Sequence, residues 1–320
     1  MARLEAQGAP RRIASGVSPG ALLLPVGAGL GYACGAIAIQ RALGAGISGR
    51  VVNLLCNVTM ALLFQVLWLL PEAAGAPSAC VSGTALFVFP VFCGFLFFLG
   101  QIFTFRAIAT GDISVSTPLL GSKVILVALL SVSFLGKPLP VSWWGACAMA
   151  SIGIALISYI PGGAHRRMLA AVLWSLGAAA IFALTDVLVQ LWVPGVGYKR
   201  FAPVMFGMMG VLSVCYLPGL FRRGVKSETK ISSHALPWLF FGAILLSIQS
   251  LAMYSAIGLY GNATLTNILY GSRCLWSVLL VWMAGALLSD GAPMETRTPV
   301  MLRRLAGAIL LLFAMTLVLC

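Results

Sequence analysis

The sequence predicts an all-α integral membrane protein, with ten transmembrane helices arranged as two inverted five-helix repeats. Three observations predict it. The 320 residues are 61% hydrophobic and only 8% charged, with a mean hydropathy of +1.04, whereas an ordinary soluble domain carries about 25% charged residues. Apolar runs long enough to cross a bilayer recur along the chain, separated by short breaks rich in Gly, Pro or charge. One half of the sequence also lies over the other at a nearly constant shift of 150 residues.

A hydrocarbon core of about 30 Å takes about 20 apolar residues in helical form. On that measure spans are expected at 20–42, 49–71, 82–106, 112–135, 139–160, 167–192, 201–220, 235–259, 262–288 and 303–320. Arg11 and Arg12 precede the first span in the manner of a signal peptide, but its counterpart in the second half argues for keeping it in the mature protein. It carries Gly27, Gly31 and Gly35 at four-residue spacing, a ridge for close helix packing, and Gln40 near its end. The second span holds Asn53 and Asn57 one turn apart and stops at Pro71-Glu72. The third contains Gln101. The fourth has Pro118 early, then Gly121, Ser122 and Lys123, and ends at Gly136-Lys137. The fifth pairs Ala146 with Ala150, a stripe that leaves a homodimer interface open, and ends at Pro161-Gly162-Gly163. The sixth carries Asp186 and Gln190 before Pro194-Gly195, and the seventh ends at Phe221-Arg222-Arg223-Gly224. The eighth contains Gln249. The ninth contains Asn267, Tyr270, Ser272 and Arg273, and the tenth completes the second half. The expected organisation is a tail (1–19), a first repeat (20–160), a linker (161–166) and a second repeat (167–320).

The repeat is plainest where residues 112–123 lie over 262–273. Gly111, Leu119, Gly121 and Ser122 match Gly261, Leu269, Gly271 and Ser272, while Asp112, Ser114 and Ser116 meet Asn262, Thr264 and Thr266. The same shift sets Lys123 over Arg273 and Gln40 over Gln190. With a residue or two of slack, Gln101 falls over Gln249 and Ala107-Ile108 over Ala256-Ile257. Five spans per half is an odd number, so the second half runs upside down relative to the first. Inverted repeats of this kind are a transporter architecture, with substrate bound near the midplane between the halves.

Two five-span halves of about 150 residues, the Ala-Ile to Gly-Asp and Gly-Asn entries to spans 4 and 9, Pro118 and the break at Gly136 together resemble the drug/metabolite transporter superfamily and its EamA-type repeat. The chain departs from that pattern in two places. Lys137 stands where the family usually has Glu, and Ile268 where span 4 has Pro118. The resemblance implies an exporter of amino acids or drugs, or an exchanger of nucleotide sugars or sugar phosphates.

Lys123 and Arg273 each lie about eleven residues into a span, about 15 Å from its nearer end at 1.5 Å per residue. A cation at that depth costs about 2.5–3.5 kcal/mol. A water-filled substrate cavity would compensate the cost, and so would structural bonds to carbonyls or a buried carboxylate. Asp186 is the one acid well inside a span, so two deep cations face one deep acid. An anionic substrate is the simplest neutraliser of the surplus, since Arg presents a planar fork and Lys a mobile point charge. Asp186 is then the counter-ion of one cation, or alternatively a proton-coupling group. The expected substrate-binding set is Lys123, Arg273, Gln101, Gln249, Ser122, Ser272, Tyr270, Asn267, Gln40, Gln190 and Asn57, with Asp186 as coupling or counter-ion residue. Each of these polar and aromatic residues also has a bland reading, as interhelical glue or packing.

The leading expectation is a secondary active transporter of a small anionic metabolite, carboxylate or phosphate-bearing, working by alternating access. The alternative is an exporter of amino acids or amphipathic drugs, proton-coupled through Asp186, with both cations structural. An enzyme acting on lipid phosphates would need an interfacial acid–base cluster, and the only histidines, His165 and His234, lie apart with no carboxylate cluster beside them. A receptor or scaffold would not need paired midplane charges. No Walker motif, cofactor motif or metal-ligand spacing is present, and none of the eight cysteines forms a C-x-x-C pair. Partners are a small-molecule substrate and the lipid bilayer. The net charge of +13 does not point to nucleic acid, because the Lys and Arg flank spans in short clusters. Location is expected in the plasma membrane, or the inner membrane of a Gram-negative cell. Twelve Lys and Arg on one side against six on the side of the N-terminus put both termini outside by the positive-inside rule. The family resemblance implies termini inside, so orientation and direction stay open.

Overall fold

A computed structural model describes residues 19–70, 83–110, 121–136, 138–158, 168–216, 235–287 and 298–319. Among these residues the chain is helical, with no strand. The helices are α1 (Pro19–Gly44), α2 (Gly49–Gln65, extended by a 3₁₀ turn over Val66–Trp68), α3 (Ala85–Thr110), α4 (Lys123–Leu135), α5 (Val141–Ser158), α6 (Met168–Val196), α7 (Tyr198–Cys215), α8 (Ala235–Tyr260), α9 (Ala263–Tyr270), α10 (Arg273–Leu287) and α11 (Thr298–Leu319). Five stretches are long and apolar enough to cross a membrane: Pro19–Gly44, Gly49–Trp68, Ala85–Thr104, Leu169–Val196 and Ala235–Tyr260. Their outer faces are oily too, with Leu23, Leu62, Phe87, Leu169, Phe241 and Phe313 all more than half exposed. An apolar exterior on apolar helices is the pattern of an all-α protein made for a bilayer.

Local chemistry accounts for several helix ends. Ser48 caps α2, its Oγ accepting from the Val51 N–H at 3.4 Å. The expected stop at Pro194-Gly195 lies inside α6, which runs on to Val196. The chain turns at Gly197, whose φ of 88° suits only glycine and whose N–H closes on the Val193 carbonyl at 2.8 Å. A proline removes one donor from a helix without ending it when the next turn is held in this way. At the other end of the chain, α11 starts five residues ahead of the expected span and carries Arg303 and Arg304 in helical form. Arg303 Nε donates to the Leu156 carbonyl at 3.2 Å, tying α11 to the end of α5.

The largest departure is in the ninth span. Rather than one helix over 262–288, the chain forms α9 and α10, separated by Gly271 and Ser272. The fourth span is described only from Gly121, so its earlier part, with Asp112, Ser114, Ser116 and Pro118, lies outside the described residues. So do His165, His234 and most of the charged loops used to judge orientation.

Packing follows a regular scheme. α1 lies along α8 and α3 along α6, while α2 packs on α7 and α5 on α11. α3 also touches α7, α8 touches α2, α4 rests on α6, and α10 rests on α1. The α5–α11 crossing is backbone to backbone. A Cβ on Gly153 would lie 2.8 Å from the Gly307 carbonyl oxygen, and one on Gly307 would lie 2.7 Å from that of Gly153. At the centre, Phe97 meets Phe182, Phe206 and Tyr254 edge-on at 5.3, 5.5 and 5.9 Å, and Phe206 stacks on Phe64 at 3.8 Å. Offset and edge-to-face rings of this kind fill volume and fix orientation together.

Candidate functional site

Two helices start on a cation. After Gly121-Ser122 the chain enters α4 at Lys123, and after Gly271-Ser272 it enters α10 at Arg273. The second break is a tight turn. The Gly271 N–H bonds the carbonyls of Asn267 and Ile268, and the Ser272 N–H bonds that of Leu269, each at 3.1 Å. Helix α1 presses directly on it: a Cβ on Gly29 would stand 2.6 Å from Ser272 Oγ and 2.9 Å from the Arg273 nitrogen. Only a residue without a side chain lets α1 come this close. A cation in a helix's first turn adds positive charge to the positive end of the macrodipole, so each of these side chains needs neutralising from elsewhere.

Lys123 is neutralised by Asp186. Its Nζ lies 2.7 Å from Asp186 Oδ2, the lysine side chain being 19% exposed and the aspartate 1%. Asn267 Nδ2 donates to the same Oδ2 at 2.7 Å, and Tyr254 OH donates to Oδ1 at 3.2 Å. Asn267 also holds the Ala263 carbonyl at 2.9 Å, which fixes its amide orientation. The carboxylate thus accepts from three donors on α4, α8 and α9. It is the only carboxylic acid side chain among the described residues. The ring of Phe182, on α6, lies 5.8 Å from Lys123 Nζ.

Arg273 has different neighbours. Its guanidinium sits 4.7 Å from the ring centre of Tyr270 and 5.1 Å from that of Tyr32, within the range of cation–π attraction. Among the described residues it has no carboxylate partner. Tyr270 is held for this role, its hydroxyl donating to Gln249 Oε1 at 2.9 Å. Gln249 in turn donates to the Leu246 carbonyl at 3.0 Å and to Ser250 Oγ at 2.7 Å, so its amide is fully engaged. Ser272 precedes Arg273, and Trp276 follows one turn after Ser272. Ser272 Oγ and Trp276 Nε1 are buried without a hydrogen-bond partner among the described residues. An arginine without a carboxylate partner, close in sequence to two unanswered polar groups, offers donors that an anion would accept from.

The two clusters are neighbours. Asn267 and Tyr270 are three residues apart on α9, a rise of about 4.5 Å, and Gln249 and Tyr254 are five residues apart on α8, a rise of about 7.5 Å. Of the residues expected in the site, Lys123, Arg273, Asp186, Asn267, Tyr270, Gln249 and Ser272 come together here, with Ser122 at the entry to α4. Gln190 caps α9 instead, its Oε1 accepting the Ala263 N–H at 2.8 Å. Asn57 is fully buried between α2 and α7, donating to Ser213 Oγ at 3.0 Å. Gln40 is exposed on α1, and Gln101 is partly buried on α3 with no hydrogen bond among the described residues. Within the glycine ridge, Gly31 and Gly35 face α8, while Gly27 meets nothing within 4 Å.

Tyr32, Phe182 and Tyr254 were not among the expected site residues. A signal for the first two was present, because the 150-residue shift that sets Lys123 over Arg273 also sets Tyr32 over Phe182. Each cation therefore lies over an aromatic ring of the other half at an equivalent position. Tyr254 had no such signal, since its role depends on where α8 passes.

No family model matches the chain, and no curated protein sequence matches it. Among solved structures 29 chains match. One, described only as "Crystal structure of protein", superposes with a TM-score of 0.65 over 93% of this chain and 95% of its own, at 16% sequence identity. At that identity the similarity is one of fold, and it extends over nearly the full length of both chains.

Proposed function

We propose that the protein is a secondary active transporter of a small anionic metabolite, working by alternating access between two inverted five-helix repeats of the drug/metabolite transporter type. The observation that carries the reading is Arg273: a cation at a helix break deep in an apolar chain, faced by two tyrosine rings and lacking a carboxylate partner among the described residues. Broken helices whose ends address a charged ligand are a recurrent feature of transporter sites. The two-repeat reading draws support from the packing scheme. Shifting every expected span by five exchanges α1–α8 with α6–α3, exchanges α3–α7 with α8–α2, and leaves α2–α7 and α5–α11 unchanged. It also exchanges the Lys123–Phe182 contact with Arg273–Tyr32.

In operation the halves would rock about the paired cations, exposing Arg273 to one side and then the other. The substrate's anionic group would displace water from the guanidinium fork and be covered by Tyr32 and Tyr270. The test is counterflow into proteoliposomes preloaded with carboxylates, phosphate esters or amino acids. Counterflow of an anion class by wild type, lost in Arg273→Gln, is the expected result. Undiminished counterflow by Arg273→Gln would refute the reading. Transport of amino acids or lipophilic cations that depends on Asp186 and ignores Arg273 would favour proton-coupled export, a reading supported by the burial of that acid in the interior.

A further inference from the structure

The two halves differ at one chemically decisive position. Under the 150-residue shift Lys123 answers to Arg273 and Phe182 to Tyr32, but Asp186 answers to Ala36. The first cation therefore has an acid within 2.7 Å, and the second has none among the described residues. The Asp186 carboxylate sits among donors. All three neighbours, Lys123 Nζ, Asn267 Nδ2 and Tyr254 OH, are donors to it.

We infer that Asp186 is the specificity-determining residue for substrate charge, confining the site to ligands that present a single negative charge. This rests on the anion-transporter reading above. With Lys123 cancelled, the joined clusters carry one net positive charge among the described residues, that of Arg273. A monoanion such as a carboxylate or sulfonate brings the occupied site to neutrality. A dianion such as a phosphate monoester leaves one uncompensated negative charge in a poorly solvated interior, which is strongly unfavourable. Selectivity by an unfavourable term against the wrong ligand is a general device.

The experiment uses detergent-purified full-length protein and matched alkyl and aryl sulfonates and phosphonates, at a pH where each phosphonate is doubly ionised. Affinities are read by ligand-induced thermal stabilisation and by calorimetry. Wild type is expected to prefer the sulfonate of each pair. Asp186→Asn frees Lys123 and is expected to shift the ratio toward the phosphonate by about tenfold or more. Because that variant strands a lysine and risks misfolding, Lys123→Met with Asp186→Leu serves as a second arm. It removes the pair without changing net charge, so the wild-type sulfonate preference should remain. An unchanged ratio in Asp186→Asn, or a phosphonate preference in wild type, overturns the inference while leaving anion transport standing. Failure of every sulfonate and phosphonate to bind wild type overturns both.

Discussion

Replacing Lys123 with Met removes a charge from the interior while keeping a stem of similar length, which isolates the electrostatic part of the site. Asp186 is then left 1% exposed with two of its three donors, Asn267 at 2.7 Å and Tyr254 at 3.2 Å. Removing one partner of a buried ion pair costs about 3–5 kcal/mol when the other is left uncompensated. The retained donors and the 19% exposure of Lys123 bring the expected loss to or below the bottom of that range, about 2–3 kcal/mol. Asp186→Leu strands the lysine and two further donors and should cost about 3 kcal/mol. The double change removes both charges and leaves only the Asn267 and Tyr254 donors unpaired, so it should cost about 2 kcal/mol, giving a coupling of about 3 kcal/mol between the two positions. Unfolding in a fixed detergent, followed by the fluorescence of the eight tryptophans, reads all four corners of the cycle. Additive losses would refute the reasoning, because they would mean that the two charges do not compensate each other.

Three further outcomes are expected. Gly153→Val places a side chain against the Gly307 carbonyl, which a Cβ alone would meet at 2.8 Å, and should destabilise by about 1–3 kcal/mol through overpacking; unchanged stability would mean α5 and α11 do not cross there. Gln190→Leu removes the acceptor of the Ala263 N–H at 2.8 Å and should cost about 1 kcal/mol, seen as faster hydrogen exchange confined to the start of α9. Tyr32→Leu strips one ring from Arg273, so peptide mapping should show faster phenylglyoxal modification of that arginine, whereas Tyr32→Phe should react as wild type does.

Much of the helical layout was legible because its causes are local. A run of about 20 apolar residues buries its backbone bonds as a helix whatever surrounds it, so the expected spans fall within a few residues of α1, α3, α5, α6 and α8. The break at Gly271-Ser272 was not legible from hydropathy, since glycine and serine are ordinary residues of membrane helices. It belongs to the place where α1 presses Gly29 against the turn, a contact between segments more than 240 residues apart. Gln40 and Gln190 show the same divide. The sequence shift makes them equivalent, but only Gln190 is described with a helix N-terminus to cap.

By itself the sequence determined the membrane-spanning character, the two deep cations, the lone interior acid and the shift that pairs Lys123 with Arg273 and Tyr32 with Phe182. These are matters of composition and order, which every conformation shares. Which cation the acid neutralises was decided only by tertiary structure. Asp186 lies on α6 and α4 packs on α6, whereas α10, which begins with Arg273, rests on α1. A contact ion pair needs its partner within about 4 Å, where the attraction is strongest, so the neighbour that packing supplies, rather than the neighbour in sequence, leaves Lys123 paired and Arg273 facing two tyrosine rings.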